Sequence, residues 1–332
     1  MAKITLDLEA LVASGKLSQN EATKLTGFAE PSRAVSTLVQ VLYIFGALGL
    51  AAGVVALKPE PIVGLILALA ALGFAAFVQT TKNEGLSILG VGMSIAGTLG
   101  VCGWFAIEFG TETNALLINA VTTLLVLVSA LWFRSLFLIA FVPIGIAAML
   151  GSGTMYWHAS YGIFVQEPTL TIIVFSILAL GLFAFSYKLP AIRGMQALIA
   201  ARVSWIILNF SFWVGSLWGD YIGEHFRQYA DGKYTSYEDM EKWRLTAFHI
   251  PDYAFVVAWA LASIGTIIWL KSHRFAVNAG ITFLAINAYT QFFERFYESA
   301  WALILGGASL LVFAWALFNF DRSMQAKLKI TQ

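Results

Sequence analysis

The fold class this sequence predicts is all-α, a polytopic transmembrane helix bundle of about ten spans, and three observations predict it. Of its 332 residues, 59% are hydrophobic and only 12% charged, with a mean hydropathy of +0.78. Ten apolar segments recur along the chain, each close to the ~20 residues with which a helix crosses hydrocarbon. Lysine and arginine gather in alternate connections between them. In lipid every backbone polar group must be satisfied internally, and apolar runs of this length do so as helices.

Residues 1–34 are expected to form a cytosolic helical hairpin. Leu6, Leu8, Leu11 and Val12 give its first helix an apolar side, Gly15 suits the C-cap, and Ser18 with Glu21 spells a capping box for the second. Pro31 closes it. The hairpin either packs on the membrane-facing side of the protein or docks a partner. No apolar core of a cleavable signal occurs in this region, so the first span is expected to be retained.

The spans are read as 36–57, 62–80, 86–108, 114–133, 135–157, 169–187, 195–219, 252–270, 275–297 and 299–319. Spans one to seven thus occupy 35–219, an outer loop 220–251, and spans eight to ten 252–320, with a cytosolic tail at 321–332. The fifth is the least regular: Pro143 should kink it, and GSGT at 151–154 followed by MYWHASYGIF resembles an interfacial or re-entrant tail. With a cytoplasmic N-terminus, 13 lysines and arginines fall inside and six outside, four of the six in the long loop that the positive-inside rule discounts. Both termini are therefore expected in the cytoplasm.

The early spans are rich in small residues, with GxxxG at Gly49 and Gly53 and a run at Gly90, Gly92, Gly97, Gly100 and Gly103. Such faces let helix backbones approach closely. Eight of the 11 tryptophans lie beyond residue 200, several near span ends where an aromatic belt would form. In the outer loop Asp231–Gly232 makes a turn and Ser236 caps a helix. Met240, Trp243, Ala247 and Phe248 then fall on one side of that helix, opposite Glu238, Glu241 and Lys242. No inverted repeat of the kind that marks many transporters is visible.

Buried polar groups are the usual pointers to function in a membrane. In the ninth span Asn287, Gln291, Glu294 and Glu298 recur at helical steps and define one polar face. That face is either interhelical glue or the lining of a polar path that opens outward, with Glu294 as its titratable group. Arg202 and Asn209 share a face of the seventh span. Arg202 either snorkels to the headgroups or turns inward, where Asn119 of the fourth span is a natural partner.

Other chemistry is sparse. HExxH, G-x-S-x-G and GxxxxGK[ST] are absent, so the chain is read as a non-enzyme. The four histidines fall in loops or span ends, which excludes haem held between helices in the bilayer. A zinc or copper site would need His225, His249, Glu224 and Asp252 to converge, and their spacing does not ask for it. No cofactor or metal is expected. The lone Cys102 sits in an apolar segment as a small hydrophobe, and a net charge of +1 without a basic block argues against nucleic acid.

A module like LEALVASGKLSQNEATKL before a first span like LVQVLYIFGALGLAAGVVAL resembles a family of uncharacterised bacterial polytopic membrane proteins, a domain of unknown function. ALLINAVTTLLVLVSALWFRS, NAYTQFFERF and ALILGGASLLVFAWALFNFDR are similar to it as well, while the long aromatic outer loop departs from it. The resemblance implies a bacterial inner-membrane location and supplies no activity or catalytic residue. Two functional classes follow. One is a non-catalytic accessory or scaffold component of a membrane assembly, its partners being the lipid bilayer and a protein docked through residues 1–34 or the GxxxG faces. The other is a carrier or channel for a small solute, using Asn287, Gln291 and Glu294 with Arg202 or Asn209.

Overall fold

Apolar runs bounded by short polar connections become helices here, in a computed structural model that describes residues 8–28, 46, 60–81, 86–110, 115–157, 160–228, 235–270, 273–296, 299–301, 304–312, 314–315 and 318–319. The chain divides into two compact units, Met1–Gly97 and Thr98–Gln332. In the first, α1 (Leu8–Ala13) and α2 (Gln19–Phe28) pack as a pair. Gly15, at φ +69°, ends α1, and the amides of Lys16 and Leu17 return to Leu11 O. Ser18 and Glu21 form a reciprocal box: the Ser18 amide donates to Glu21 Oε2 at 3.0 Å, and the Glu21 amide to Ser18 Oγ at 3.3 Å. The Ser18 hydroxyl also donates to Glu21 Oε2 at 2.7 Å, and this bond together with that from the Ser18 amide holds the Glu21 carboxyl below its ordinary value.

The same unit holds α3 (Pro61–Thr81) and the start of α4 (Ser87–Phe109). Gly97 lies so close to α3 that a Cβ there would meet Ala68 O and Leu72 at 2.7 Å, and one at Gly90 would meet Val78 at 2.9 Å. Two of the small residues read from the sequence thus set the helix contact, seven positions apart on one face. The GxxxG at Gly49 and Gly53, the Asp231–Gly232 turn and Glu298 lie outside the described residues.

The second unit continues with α5 (Ala115–Trp132), α6 (Leu138–Met149), strands β1 (Ser152–Trp157) and β2 (Ser160–Val165), α7 (Pro168–Ser186) and α8 (Ala191–Trp218). Strand β3 (Asp220–Tyr221), α9 (Glu224–Gln228), α10 (Tyr237–Arg244), β4 (His249–Ile250), α11 (Asp252–Trp269) and α12 (Arg274–Phe296) follow. The strands form two antiparallel ladders, β1 with β2 from Ser152↔Val165 to Trp157↔Ser160, and β3 with β4 through Asp220↔Ile250 and Tyr221↔His249. The expectation of an all-α chain is corrected to that extent.

Helix α8 is the hub, packing against α6, α7 and α11. Half of its most apolar window is buried, against 17–28% in the five other long apolar helices. The core between these helices and α12 contains Phe175, Leu208, Phe212, Phe255, Trp259 and Phe283. Opposite it, Ile173, Ile177 and Leu180 of α7 and Val257, Leu261, Ile264 and Ile268 of α11 remain exposed in continuous stripes. Contiguous apolar stripes of this kind suit contact with acyl chains.

Among the described residues six helices, α3, α4, α5, α7, α8 and α11, are long and apolar enough to cross a membrane. Seven of the ten expected segments occur as helices within four residues of the bounds read from the sequence. The fifth does not: α6 has 12 residues, about 18 Å at helical rise, and the chain beyond it turns into the β1–β2 hairpin. Glycine at 151 stops the helix with φ +72°. The ninth segment is α12, whose polar face keeps it out of the six. Of the first segment only Gly46 is described, and of the tenth mainly 304–312, a helical stretch whose Gly306 packs on Phe292 and Phe293. On the 220–251 loop Ser236 accepts from the Asp239 amide at 3.2 Å and Met240 is buried, but α10 ends at Arg244 and leaves Phe248 exposed. The amphipathic side read through Phe248 is therefore shorter than expected.

Candidate functional site

The polar side chains read from the sequence are drawn toward neighbouring helices rather than toward one another. Asn287 of α12 is buried, and its Nδ2 donates to Val256 O of α11 at 3.2 Å. Its Oδ1 is buried without a partner. One turn on, Gln291 Nε2 donates to Ser216 O of α8 at 3.4 Å, and Trp213 Nε1 of α8 donates to Thr290 Oγ1 of α12 at 3.0 Å. Glu294 is exposed. Asn119 Nδ2 of α5 donates to Ala148 O of α6 at 3.3 Å.

Asn209 and Arg202 part company. Asn209 is buried, donating to Trp205 O of its own helix at 2.8 Å and accepting at Oδ1 from Trp259 Nε1 at 2.9 Å. Arg202 is exposed, and its guanidinium lies over the Phe275 ring, 5.0 Å from the centroid. The two share an angular position on α8, but the neighbours along that helix change over two turns. The inward pairing of Arg202 with Asn119 does not form; Asn119 is committed to α6.

A second constellation lies at the end where β2 enters α7 and α8 exits into β3; it contains His225, His249 and Glu224, weighed from the sequence only as metal ligands, while its two central acids, Glu167 and Asp220, were not singled out. Glu167 precedes Pro168, the first residue of α7, and its side chain is 1% exposed. It accepts from the amides of Gly223 (3.0 Å, at Oε2) and His225 (2.9 Å, at Oε1). Asp220 is 3% exposed and accepts at Oδ2 from the Thr169 amide at 2.8 Å. The two acids therefore clasp α7 to the segment after α8 reciprocally. Next to them His225 Nδ1 and Gln166 Oε1 are 2.6 Å apart, so the ring nitrogen carries the proton and donates. Arg244 of α10 pairs with Glu224 and lies over the Tyr221 ring, 5.4 Å from its centroid, while His249 stacks on that ring at 4.3 Å.

Burial sets the electrostatics of this cap. It pushes the Glu167 carboxyl up; the Gly223 and His225 amides pull it back, and the charges of Asp220 and Glu224 push it further. Burial likewise raises Asp220, opposed by Thr169 and by His249, and reinforced by Glu224. The Thr169 hydroxyl is near enough to draw that carboxyl down but meets no acceptor with hydrogen-bond geometry. Burial lowers His225 and favours its neutral ring. Asp220, Glu224 and Arg244 line a pocket of about 400 Å³, walled elsewhere by Val165, Pro168, Val214 and Trp218. The described residues contain no group of three or more His, Cys, Asp or Glu placed to hold a metal ion.

The available signal for this cap was the tripeptide Gln166-Glu167-Pro168, an acid just ahead of a helix-opening proline. Its partners lie 56 to 59 residues away, a separation no local pattern encodes. Gly151 gives the cap a sensitive point. A Cβ there would lie 2.5 Å from His225 Nδ1 and 2.6 Å from Gln166 Oε1, at a φ of +72°. Gly151→Ala is expected to cost about 2–4 kcal/mol, combining left-handed strain with displacement of the pair. Thermal unfolding in detergent checks this, and an unchanged midpoint would refute it. Comparison of the chain with family models, with curated proteins and with solved structures gave no match.

Proposed function

We propose that this protein is a multi-pass protein of the bacterial inner membrane, with about ten spans and both termini cytoplasmic, serving as a non-catalytic accessory or scaffold component of a membrane assembly. The six long apolar helices, the skew of 13 against six basic residues and the family resemblance support the membrane part of this reading. Its partner would dock through residues 1–34 or through the small-residue faces of the early spans.

The observation that carries the scaffold reading is the use made of the amides. Asn119, Asn287 and Gln291 each donate to a backbone carbonyl of a neighbouring helix. Side chains held in this way bind the bundle together. The unpartnered Oδ1 of Asn287 favours the second reading, a carrier or channel with a polar path along α12.

Two variants separate the readings. In a scaffold, Asn287→Ala with Gln291→Ala lowers folded yield and stability by about 1 kcal/mol, at ~0.6 kcal/mol for each interhelical bond. Glu294→Gln, at an exposed position, leaves yield and growth unchanged. Normal yield combined with loss of a solute-dependent growth phenotype in either variant would decide for the carrier. A stoichiometric partner that copurifies with the tagged full chain, and is lost on removal of residues 1–34, would give the scaffold its assembly.

A further inference from the structure

Arg202 places a charge where hydrocarbon should be. Helix α8 has 28 residues, about 42 Å at helical rise, against a hydrocarbon layer of ~30 Å. Arg202 follows Ala191, the first residue of α8, by about 16 Å along the axis. Even with the whole excess of about 12 Å protruding at that end, the Arg202 Cα falls inside the apolar layer. Its side chain is exposed and shares a face with the exposed Met195 and Ile206, at steps of seven and four. In a membrane that face meets acyl chains.

The guanidinium reaches a level where other cations gather. It lies over Phe275, the second residue of α12. Farther along, α8 and α12 stay side by side, through Phe210 with Phe283 and Trp213 with Thr290. Arg274 precedes Phe275 and is exposed. His273 comes before it, with Nδ1 3.4 Å from the hydroxyl of Tyr187 at the end of α7, and the exposed Lys188 follows Tyr187. Contact and chain adjacency thus link Lys188 to Arg274 and Arg274 to Arg202. No aspartate or glutamate occurs in residues 168–219 or 253–293, and among the described residues the three cations make no ion pair.

An exposed row of cations that begins on an apolar face asks for an anion with apolar appendages. A phosphodiester accepts two hydrogen bonds from one guanidinium, and its acyl chains can continue along the face that holds Ile206. We propose that Arg202, Arg274 and Lys188 hold the headgroup phosphate of an anionic phospholipid. A soluble phosphate ester shares the headgroup chemistry but lacks the tails that this face accommodates. The proposal rests on the membrane part of the reading above and is independent of the scaffold part.

The test uses the full-length protein. Alkaline carbonate extraction of membranes checks the underlying reading by itself: a protein released by carbonate would overturn both, whereas a retained one that shows no lipid preference would overturn the proposal alone. The protein is then purified in an uncharged maltoside detergent, phosphatidylglycerol or phosphatidylcholine is titrated in, and bound lipid is counted by native mass spectrometry. Saturable binding of phosphatidylglycerol is expected, about tenfold tighter than that of phosphatidylcholine. Glycerol phosphate is the soluble competitor. Complete displacement of the lipid by an equimolar amount of it would assign the site to free phosphate esters and overturn the lipid.

Arg202→Gln removes the charge and is expected to weaken phosphatidylglycerol binding about tenfold. Arg274→Gln, at an exposed position, is expected to weaken it about fivefold and serves if Arg202→Gln does not fold. Arg134→Gln is the control for net charge. Arg134 is exposed at the same end, but it adjoins Ser135, whose carbonyl accepts from Gln196 Nε2, and Gln196 lies about 120° from Arg202 around α8. This variant is expected to bind as the wild type does. The proposal is overturned if phosphatidylcholine binds as well as phosphatidylglycerol, if the folded Arg202 and Arg274 variants bind as the wild type does, or if Arg134→Gln weakens binding as much as they do.

Discussion

Glu167→Ala is expected to release the cap from the helix bundle. The substitution strips the acceptors from two amides, Gly223 and His225, that its buried carboxyl holds at 3.0 and 2.9 Å. Each orphaned buried donor costs about 1–3 kcal/mol, so the local loss should be roughly 2–5 kcal/mol. Amide exchange at Gly223 and His225 should accelerate by at least about thirtyfold, with α8 unaffected. Glu167→Gln retains one acceptor oxygen and should lie between. Equal protection in wild type and Glu167→Ala would show that the carboxyl does not hold this segment.

The same clasp carries a pH dependence whose sign follows from its burial. Glu167 and Asp220 both have folded values raised above the ordinary carboxylate range of about 4. The groups that act on Glu167 are the amides of Gly223 and His225 and the charges of Asp220 and Glu224; those that act on Asp220 are the hydroxyl and amide of Thr169, Glu224 and His249. A raised acid binds its proton more tightly folded than unfolded. Its contribution is therefore complete below the ordinary carboxylate value and drains away as pH rises through the elevated folded value. Protection of residues 220–228, corrected for intrinsic exchange, should decline as pH is raised from about 4 toward neutrality. Asp220→Asn should make that decline shallower. A cap that instead tightened with rising pH would contradict this account.

Trp259→Ala should be the most damaging change within the bundle. Its indole is fully buried among Phe175, Leu208, Phe212, Phe255 and Phe283, at the junction of α7, α8, α11 and α12. Truncating an aromatic in such a core costs about 3–5 kcal/mol. The polar part of that loss can be isolated, because Trp259 Nε1 donates to Asn209 Oδ1 at 2.9 Å. Asn209→Leu orphans the indole N–H and Trp259→Phe orphans the amide oxygen, whereas the double variant removes both. It should be less destabilised than the two singles added together, by about 0.6–1.7 kcal/mol. Chaotrope unfolding in detergent measures the cycle, and strict additivity would mean that the bond does not couple α8 to α11.

Local pattern reached the long helices because their length is imposed from outside: hydrocarbon of fixed thickness asks for an apolar run of fixed length. Residues 169–187 were read for α7, which spans Pro168–Ser186, and 252–270 for α11, which spans Asp252–Trp269. It failed where a run was apolar without being one helix. From 135 to 157 the chain stays apolar while changing from α6 to β1, and hydrophobicity alone does not separate a helix from a strand. The amides of Asn119, Asn209 and Asn287 were legible as buried polar groups, since a polar residue amid such a run must be sheltered. Which carbonyl each would find was not.

What the sequence determined by itself is the set of long apolar helices and the places where polar side chains interrupt them, because burial in hydrocarbon constrains every residue of a run in the same way. Only the tertiary structure decided that Arg202 faces out over Phe275 while Asn209 faces in. It alone brought Glu167 and Asp220, 53 positions apart, into one buried clasp beside an open pocket. The physical reason is that a hydrogen bond is short and directional. Whether two groups meet within 3 Å depends on how α7 and α8 pack along their whole length, and no window of neighbouring residues contains that information.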